Sequence, residues 1–277
     1  MRAEQLSAAA RGCLLAGAVG DALGAPIEFM RWEEIKAAHG VAGLRKMAPA
    51  YGRLGAITDD TQMSLFTAEA MIHARRRAAT KGMVSLLDMA WLSYRRWMHT
   101  QGEPGAQEEL RPRSMLMEES ALRSRRGPGV TCLTALRAPK QPDGRARNDS
   151  KGCGGVMRAA PCGLFWLPVA DAGIKPFKQG IECAQLTHGH PTGALTAGVL
   201  AQMVYAIGHG AGLRDAAAQA IDLLSREQDH LETTIPDEVL SFIAEYVHSN
   251  VRELEGCIIK LLLYASLRHR EITTDLA

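Results

Sequence analysis

The sequence predicts an all-α fold, a single compact multi-helix domain that spans residues 1–277. Apolar residues recur at helical spacing along most of the chain, and no alternating apolar and polar run marks a convincing strand. The chain is 47% hydrophobic but only 5% aromatic. Its core must therefore be built from Ala, Leu, Val, Ile and Met, a balance that suits closely packed helices. The length favours one large domain over two small ones.

This spacing predicts each helix in turn. The first four are expected at Glu4–Leu23, Arg31–His39, Asp60–Arg77 and Met83–His99. Pro26 and the glycines beside it are expected to end the first of them. Further helical segments are expected near residues 114–124, 130–136, 155–167, 174–185, 193–207, 213–225, 236–247 and 254–267. Loops rich in proline and glycine are expected at residues 47–55, 101–112 and 138–155.

Composition excludes several classes of function. A formal net charge of +2 gives no global field for nucleic acid. The six cysteines form no C-x-x-C pair and no dense framework, which favours a reducing cytoplasm. The N-terminus lacks the pattern of a signal peptide, and the apolar stretch 13–19 is short and soon interrupted by Asp21. We expect a cytoplasmic protein that binds neither nucleic acid nor a membrane.

The run Thr58-Asp59-Asp60-Thr61 precedes an apolar-periodic stretch. Thr58 is well placed as a helix N-cap, with both aspartates in the first turn, where the positive end of the helix dipole favours carboxylates. Taken alone, this capping chemistry explains the run. The alternative is an oxygen-only cluster suited to a hard divalent cation such as Mg²⁺ or Mn²⁺.

Asp21 and Glu28 bracket the turn Gly20-Asp21-Ala22-Leu23-Gly24-Ala25-Pro26 that ends the first predicted helix. One interpretation is tight helix packing with a glycine cap. The other is functional, because a carboxylate on a mobile turn can act as a gate or as a proton acceptor.

Two further stretches carry candidate binding residues. The loop Asp149–Arg158 is rich in glycine and precedes a predicted helix, so its backbone N–H groups are candidates for binding a diphosphate; a plain glycine-rich turn is the alternative. In the stretch Thr187–Pro191, His188 is a candidate donor to a phosphate or to a ribose hydroxyl. The alternative there is a capped loop between two helices.

Taken in this order, the motifs resemble one family. Gly-Asp-Ala-Leu-Gly-x-Pro-x-Glu-Phe, Thr-Asp-Asp-Thr-x-Met, Gly-x-Gly-x-x-Met-Arg-x-x-Pro and Thr-His-x-His-Pro are similar to motifs of the ADP-ribosylglycohydrolase family. The branch they most resemble is that of the bacterial dinitrogenase-reductase-activating glycohydrolases and their relatives. The resemblance runs from about residue 6 to about residue 267.

The resemblance implies an all-α hydrolase that removes ADP-ribose from a modified protein side chain, often arginine. It implies a binuclear Mg²⁺ or Mn²⁺ centre in a cleft. Thr58, Asp59 and Asp60 match metal ligands, and Asp60 and Glu28 match carboxylates expected to be catalytic. The implied substrate-binding residues are His188 and, in the glycine-rich loop, Ser150, Gly152, Cys153, Gly154, Gly155, Val156 and Met157.

The chain departs from the family pattern near its C-terminus. The family has a second acidic cluster there, close to Gly-x-Asp-x-Asp-Thr, and Thr274-Asp275 does not match it. We therefore expect one metal ion or none, and an uncovered apolar face that a second copy of the chain can occupy. An active enzyme, a non-catalytic ADP-ribose binder and a structural relative of the crystallin kind remain open at this point.

Overall fold

The computed structural model describes residues 2–82, 85–103 and 113–228 and confirms the all-α fold. Its helices are α1 Ala3–Gly24, α2 Trp32–His39, α3 Asp59–Lys81, α4 Leu86–Thr100, α5 Val130–Arg137, α6 Ala160–Trp166, α7 Lys175–Gln185, α8 Pro191–Gly208 and α9 Leu213–Gln228. The helices expected at 236–247 and 254–267 lie outside the described residues, as do 83–84 and 104–112. The organisation of the whole chain as one domain stays a prediction.

A small hairpin lies within the stretch 47–55 that the sequence predicts as a loop. Strands β1 (Pro49–Ala50) and β2 (Arg53–Leu54) pair antiparallel, with Pro49 opposite Leu54. The turn residues Tyr51 and Gly52 both have positive φ, 49° and 76°, as a two-residue hairpin turn of the primed type requires. Strands of two residues are too short to give an alternating pattern, which is why the sequence did not reveal them.

The prediction of a helix at 114–124 is wrong. The chain forms two 3₁₀ turns there, Leu116–Glu118 and Ser120–Leu122. The buried carboxylate of Glu69 on α3 accepts hydrogen bonds from the Ser114 hydroxyl at 2.8 Å and from the Leu116 backbone N–H at 3.3 Å. Tertiary bonds to Glu69 thus fix the backbone where helical bonds were expected. The helix expected at 155–167 also begins with a 3₁₀ turn, Val156–Arg158, ahead of α6.

Two clusters form most of the described core. The larger one joins α3, α4 and α5 through fully buried side chains that include Met63, Phe66, Tyr94 and Trp97. The other joins α7, α8 and α9, and α8 is buried along the whole run 192–199. Small residues let these helices approach closely; a methyl group built on Gly198 would lie 2.9 Å from the Phe177 carbonyl oxygen. The clusters position the ends of α3, α5 and α8, where the predicted site residues lie.

Helix α1 is the least buried of the long helices. It is long and apolar enough to cross a membrane by length and composition, and 11% of its most apolar stretch is buried. A cavity of about 870 Å³ lies between α1 and parts of α3, α6 and α8. Most of the residues that line this cavity are small or aliphatic. A single helix of this kind is weak support for a membrane span. Two expectations from the sequence stay predictions: that the protein does not bind a membrane, and that it forms a homo-oligomer.

Asp21, in the last turn of α1, fastens that helix to the start of α3. Its carboxylate is 5% exposed. It accepts the backbone N–H groups of Thr58 and Thr61 at 2.8 and 3.2 Å, and their hydroxyls at 2.7 and 2.6 Å. The first turn of a helix has N–H groups without partners inside the helix. A carboxylate from another helix therefore caps α3 and sets the direction of its first turn.

We expect Asp21→Ala to lower the free energy of unfolding by about 3 kcal/mol, because four donors then lose a buried, charged acceptor. Urea unfolding of the full chain measures this. Asp222→Ala is the matched control, since Asp222 forms an exposed pair with Arg226 within α9; it should change stability by less than about 0.5 kcal/mol. Equal effects of the two variants would contradict the capping role of Asp21.

Candidate active site

The acidic residues lie at the N-terminus of α3. The Thr58 hydroxyl accepts the backbone N–H of Asp60 at 3.3 Å, which confirms the predicted N-cap. Asp59 is 3% exposed, and its Oδ2 accepts the backbone N–H of Gly129 at 3.0 Å. Its own backbone N–H donates to the carbonyl of Arg126 at 3.1 Å. These two bonds hold the turn that leads into α5 against the acidic end of α3.

Glu28, Tyr51 and Asp59 approach one another around Gly127. A methyl group built on Gly127 would lie 3.0 Å from the Tyr51 hydroxyl, 3.5 Å from Glu28 Oε2 and 3.7 Å from Asp59 Oδ1. Gly127 has a φ of +63°, so both its conformation and its surroundings require glycine. Sequence reasoning missed Tyr51. Its position at a tight hairpin turn, with a positive φ that is unusual for tyrosine, is the structural sign of a constrained residue.

The three side chains perturb one another electrostatically. Burial, together with the nearby carboxylates of Glu28 and Asp21, raises the pKa of Asp59 to about 7, against the hydrogen bond from Gly129. Partial burial of its carboxylate, and then the charge of Asp21, raise the pKa of Glu28, although the residue as a whole is exposed. Burial and the same acidic groups raise the pKa of the Tyr51 hydroxyl. The site thus concentrates negative charge that it does not fully stabilise.

Asp60 is half-buried and lines the cavity beside α1, next to Asp21 and Thr61. The oxygen donors of Thr58, Asp59 and Asp60 have the chemistry that a hard cation prefers. A cation would offset the burial and the neighbouring negative charges that raise the pKa of Asp59. Within the described ranges, however, no three Asp, Glu, His or Cys side chains are grouped to hold a metal ion. These donors fit a cation that keeps much of its water shell.

The glycine-rich loop packs directly against His188. A methyl group on Gly154 would lie 2.7 Å from His188 Cε1, and one on Gly152 would lie 3.5 Å from His188 Nε2. Gly155 is equally restricted, because its methyl would meet the Gly193 carbonyl oxygen at 2.7 Å. None of these three glycines has a positive φ. Close approach of the backbone, and not an unusual conformation, is what requires glycine here.

The remaining loop residues predicted to bind substrate lie on both sides of these glycines. The Ser150 hydroxyl accepts the backbone N–H of Gly152 at 3.4 Å and lies 3.3 Å from the Thr131 hydroxyl on α5. Cys153 is exposed, whereas Met157 is half-buried and Val156 is buried in the core. Val156 therefore supports the loop from behind. The roles of these residues toward a ligand stay predictions.

Arg158 holds this loop from inside the core and was not singled out from the sequence. Its side chain is fully buried, and its guanidinium lies 4.3 Å from the centre of the Tyr94 ring. It donates to the carbonyls of Gly154 at 2.8 Å and Cys183 at 3.1 Å. Its Nη1 also lies 3.4 Å from Cys132 Sγ and 3.6 Å from Met63 Sδ. Carbonyl dipoles, the aromatic face and sulfur thus stabilise this buried cation.

His188 is 1% exposed, and burial, followed by the charge of Arg158, lowers the pKa of His188 to about 3. It is therefore neutral near pH 7. The neighbouring His190 acts as the N-cap of α8, because its Nδ1 accepts the backbone N–H of Thr192 at 3.1 Å. The two histidines have different environments and do not form a pair.

The N-terminal end of α5 joins the acidic residues to the glycine-rich loop. A methyl group on Gly129 would lie 3.7 Å from both Asp59 Oδ2 and Cys132 Sγ, and one on Gly154 would lie 2.9 Å from the same sulfur. Cys132 thus contacts both halves of the site, beside Asp59 and beside His188. The structure brings Glu28, Asp59, the loop 150–157 and His188 into one region, whereas Asp60 lines the cavity beside α1.

We expect the raised pKa of Asp59 to lower stability as pH rises. The folded state binds this proton up to about pH 7 and the unfolded state only to about pH 4, so wild type should lose stability between these values relative to Asp59→Asn. Three pKa units correspond to at most about 4 kcal/mol. Urea unfolding of both proteins across that range, in chelator, measures the difference. A difference that does not vary with pH would contradict the shift.

Comparison with known proteins gives two findings. The family model described as ADP-ribosylglycohydrolase matches residues 2–271. The chromosomal replication initiator protein DnaA of Latilactobacillus sakei subsp. sakei (strain 23K) is 49% identical over 51 residues, 18% of this chain and 11% of that protein. DnaA of Levilactobacillus brevis (strain ATCC 367) is 46% identical over 57 residues, 21% of this chain and 13% of that protein.

The chain thus matches only a small part of these curated relatives, whereas the family match covers nearly all of the chain. The chain belongs to the ADP-ribosylglycohydrolase family.

Proposed function

We propose that this protein hydrolyses the glycosidic bond that joins ADP-ribose to a modified protein side chain, with arginine as the expected carrier. The observation that carries the proposal is the juxtaposition around α5. A carboxylate site with raised pKa values lies on one side, and a glycine-rich loop backed by a neutral histidine lies on the other. Perturbed carboxylates beside a cradle for a polar ligand are typical of a hydrolytic site.

The two halves have separate tasks in this proposal. The loop 150–157 and His188 bind the diphosphate and ribose by hydrogen bonds, which fixes the anomeric carbon toward the acidic side. Glu28 is the candidate proton acceptor, because it is exposed, approaches Asp59 around Gly127 and has a raised pKa. Water then forms a bond to the anomeric carbon as the bond to the side-chain nitrogen breaks, and the bonding electron pair stays with that nitrogen. The water proton passes to Glu28, which can return it to the released nitrogen.

Mg²⁺ or Mn²⁺ belongs to this proposal as a cofactor. Thr58, Asp59 and Asp60 would hold it at the start of α3. A divalent cation supplies charge stabilisation and lowers the pKa of bound water. The Thr58 hydroxyl donates to Asp21 and accepts from Asp60, so it keeps one lone pair for such an ion.

The similarity to replication initiator proteins covers 18–21% of the chain. It is too small a share of the initiators to carry their activity to this chain, and the absence of nucleic-acid binding stays a prediction.

The proposal predicts metal-dependent release of ADP-ribose from an arginine-ADP-ribosylated protein, measured with Mg²⁺ or Mn²⁺ and with chelator. Asp60→Asn and Glu28→Gln should each lower the rate about 100-fold or more, the usual effect of removing a proton-transfer or charge-stabilising group. The matched controls are Asp215→Asn, in the first turn of α9, and Glu33→Gln, an exposed residue of α2. Both should leave the rate unchanged.

Three outcomes of this assay separate the alternatives. Release that is unchanged in both site variants would contradict the proposed site. ADP-ribose that raises the melting temperature without any release would favour the non-catalytic binder. Neither release nor binding by folded protein would contradict the proposal as a whole and favour the structural relative.

A further inference from the structure

Three buried groups form a chain of contacts behind the glycine-rich loop. Arg158 Nη2 lies 2.6 Å from Thr187 Oγ1. Thr187 Oγ1 lies 2.8 Å from His188 Nδ1 and 3.4 Å from the Ala184 carbonyl oxygen. Arg158, Thr187 and His188 are each no more than 1% exposed, so bulk water does not compete for these bonds.

The protons along this chain follow from what each group can do. A guanidinium only donates, so the Thr187 oxygen accepts from Arg158. The hydroxyl proton of Thr187 then has His188 Nδ1, the Ala184 carbonyl oxygen and Cys132 Sγ around it, and we take His188 Nδ1, at 2.8 Å, as its acceptor. A ring nitrogen that accepts carries no proton, and a neutral imidazole carries its single proton on the other nitrogen. A Thr187 hydroxyl that donates to Nδ1 rather than to Ala184 thus leaves the proton of His188 on Nε2.

We propose that Arg158 and Thr187 are positioning residues that hold His188 in its Nε2–H form, as a fixed donor to a diphosphate oxygen bound over the glycine-rich loop. This inference rests on the proposed function for the identity of the ligand. Nε2 is directed at the loop, since it would lie 3.1 Å from a methyl group on Gly154 and 3.5 Å from one on Gly152. The missing side chains at these two positions leave room beside the donor.

The arrangement has a consequence for selectivity. With a proton on Nε2 and a hydroxyl donating to Nδ1, His188 has no lone pair to offer a proton or a cation. It can only donate at the loop, so it recognises an acceptor oxygen. This role separates His188 from the proton-transfer task assigned to Glu28 and from the metal-binding task assigned to the start of α3.

Nitrogen NMR of the full chain labelled with ¹⁵N-histidine tests the relay without any ligand, because the long-range ¹H–¹⁵N pattern differs between the two neutral tautomers. His188→Gln assigns the signal. We expect a single Nε2–H form in wild type and in Thr187→Ser, which keeps the hydroxyl. Thr187→Val, which keeps the shape without the hydroxyl, should give a mixture of tautomers. Arg158 retains the Gly154 and Cys183 carbonyls in this variant, so the fold should persist.

Calorimetric titration with ADP-ribose tests the consequence for binding. Thr187→Val should weaken binding roughly five- to tenfold, because a hydrogen bond to a charged oxygen is no longer oriented. Thr187→Ser should restore it. Thr196→Val is the matched control, a buried threonine on α8 whose hydroxyl donates to the Thr192 carbonyl; it should leave both readouts unchanged.

The NMR measurement and the calorimetric measurement can each contradict a different part of the proposal. An Nδ1–H form of His188 in wild type, or the same form in wild type and Thr187→Val, would overturn the relay. A changed tautomer with unchanged ADP-ribose affinity would overturn the positioning role. An intact relay in a wild-type protein that does not bind ADP-ribose would contradict the proposed function and, with it, the assignment of the ligand.

Discussion

The carboxylate of Asp21 is the contact on which the acidic half of the site depends. It takes four hydrogen bonds from Thr58 and Thr61 in a buried environment, and so fixes the first turn of α3 relative to α1. That turn directs Asp59 toward Gly129, while Asp60 lines the cavity beside α1. The candidate cluster is therefore built on a capping interaction, so the same turn serves as a helix cap and as the proposed site.

The other half of the site depends on close packing. Small residues let the loop 150–157 lie against His188 and α8, and the buried guanidinium of Arg158 holds the Gly154 carbonyl from behind. A side chain at Gly154 would displace either His188 or Cys132. Cys132 and Gly129, at the start of α5, lie between this loop and Asp59, so close packing connects the two sides of the site.

The sequence predicted most of the described helices and the N-cap at Thr58, because periodicity and capping are local signals. It did not predict that Asp21 caps a helix about 40 residues away, nor that Tyr51 approaches Glu28, since such contacts depend on tertiary packing. The prediction of a helix at 114–124 was wrong for the same reason, because Glu69 on α3 accepts a hydrogen bond from the backbone of that segment. Arg158 resembles a surface cation in sequence and is fully buried in the fold.

The proposed function requires a single ADP-ribose to lie between the acidic start of α3 and the glycine-rich loop. Amide hydrogen exchange of the full chain, with and without free ADP-ribose in Mg²⁺ buffer, tests it most directly. We expect bound ADP-ribose to slow exchange in residues 127–131, 150–157 and 187–189 and to change exchange in α9 little. Saturating ADP-ribose that protects none of these segments, or only segments away from them, would contradict it.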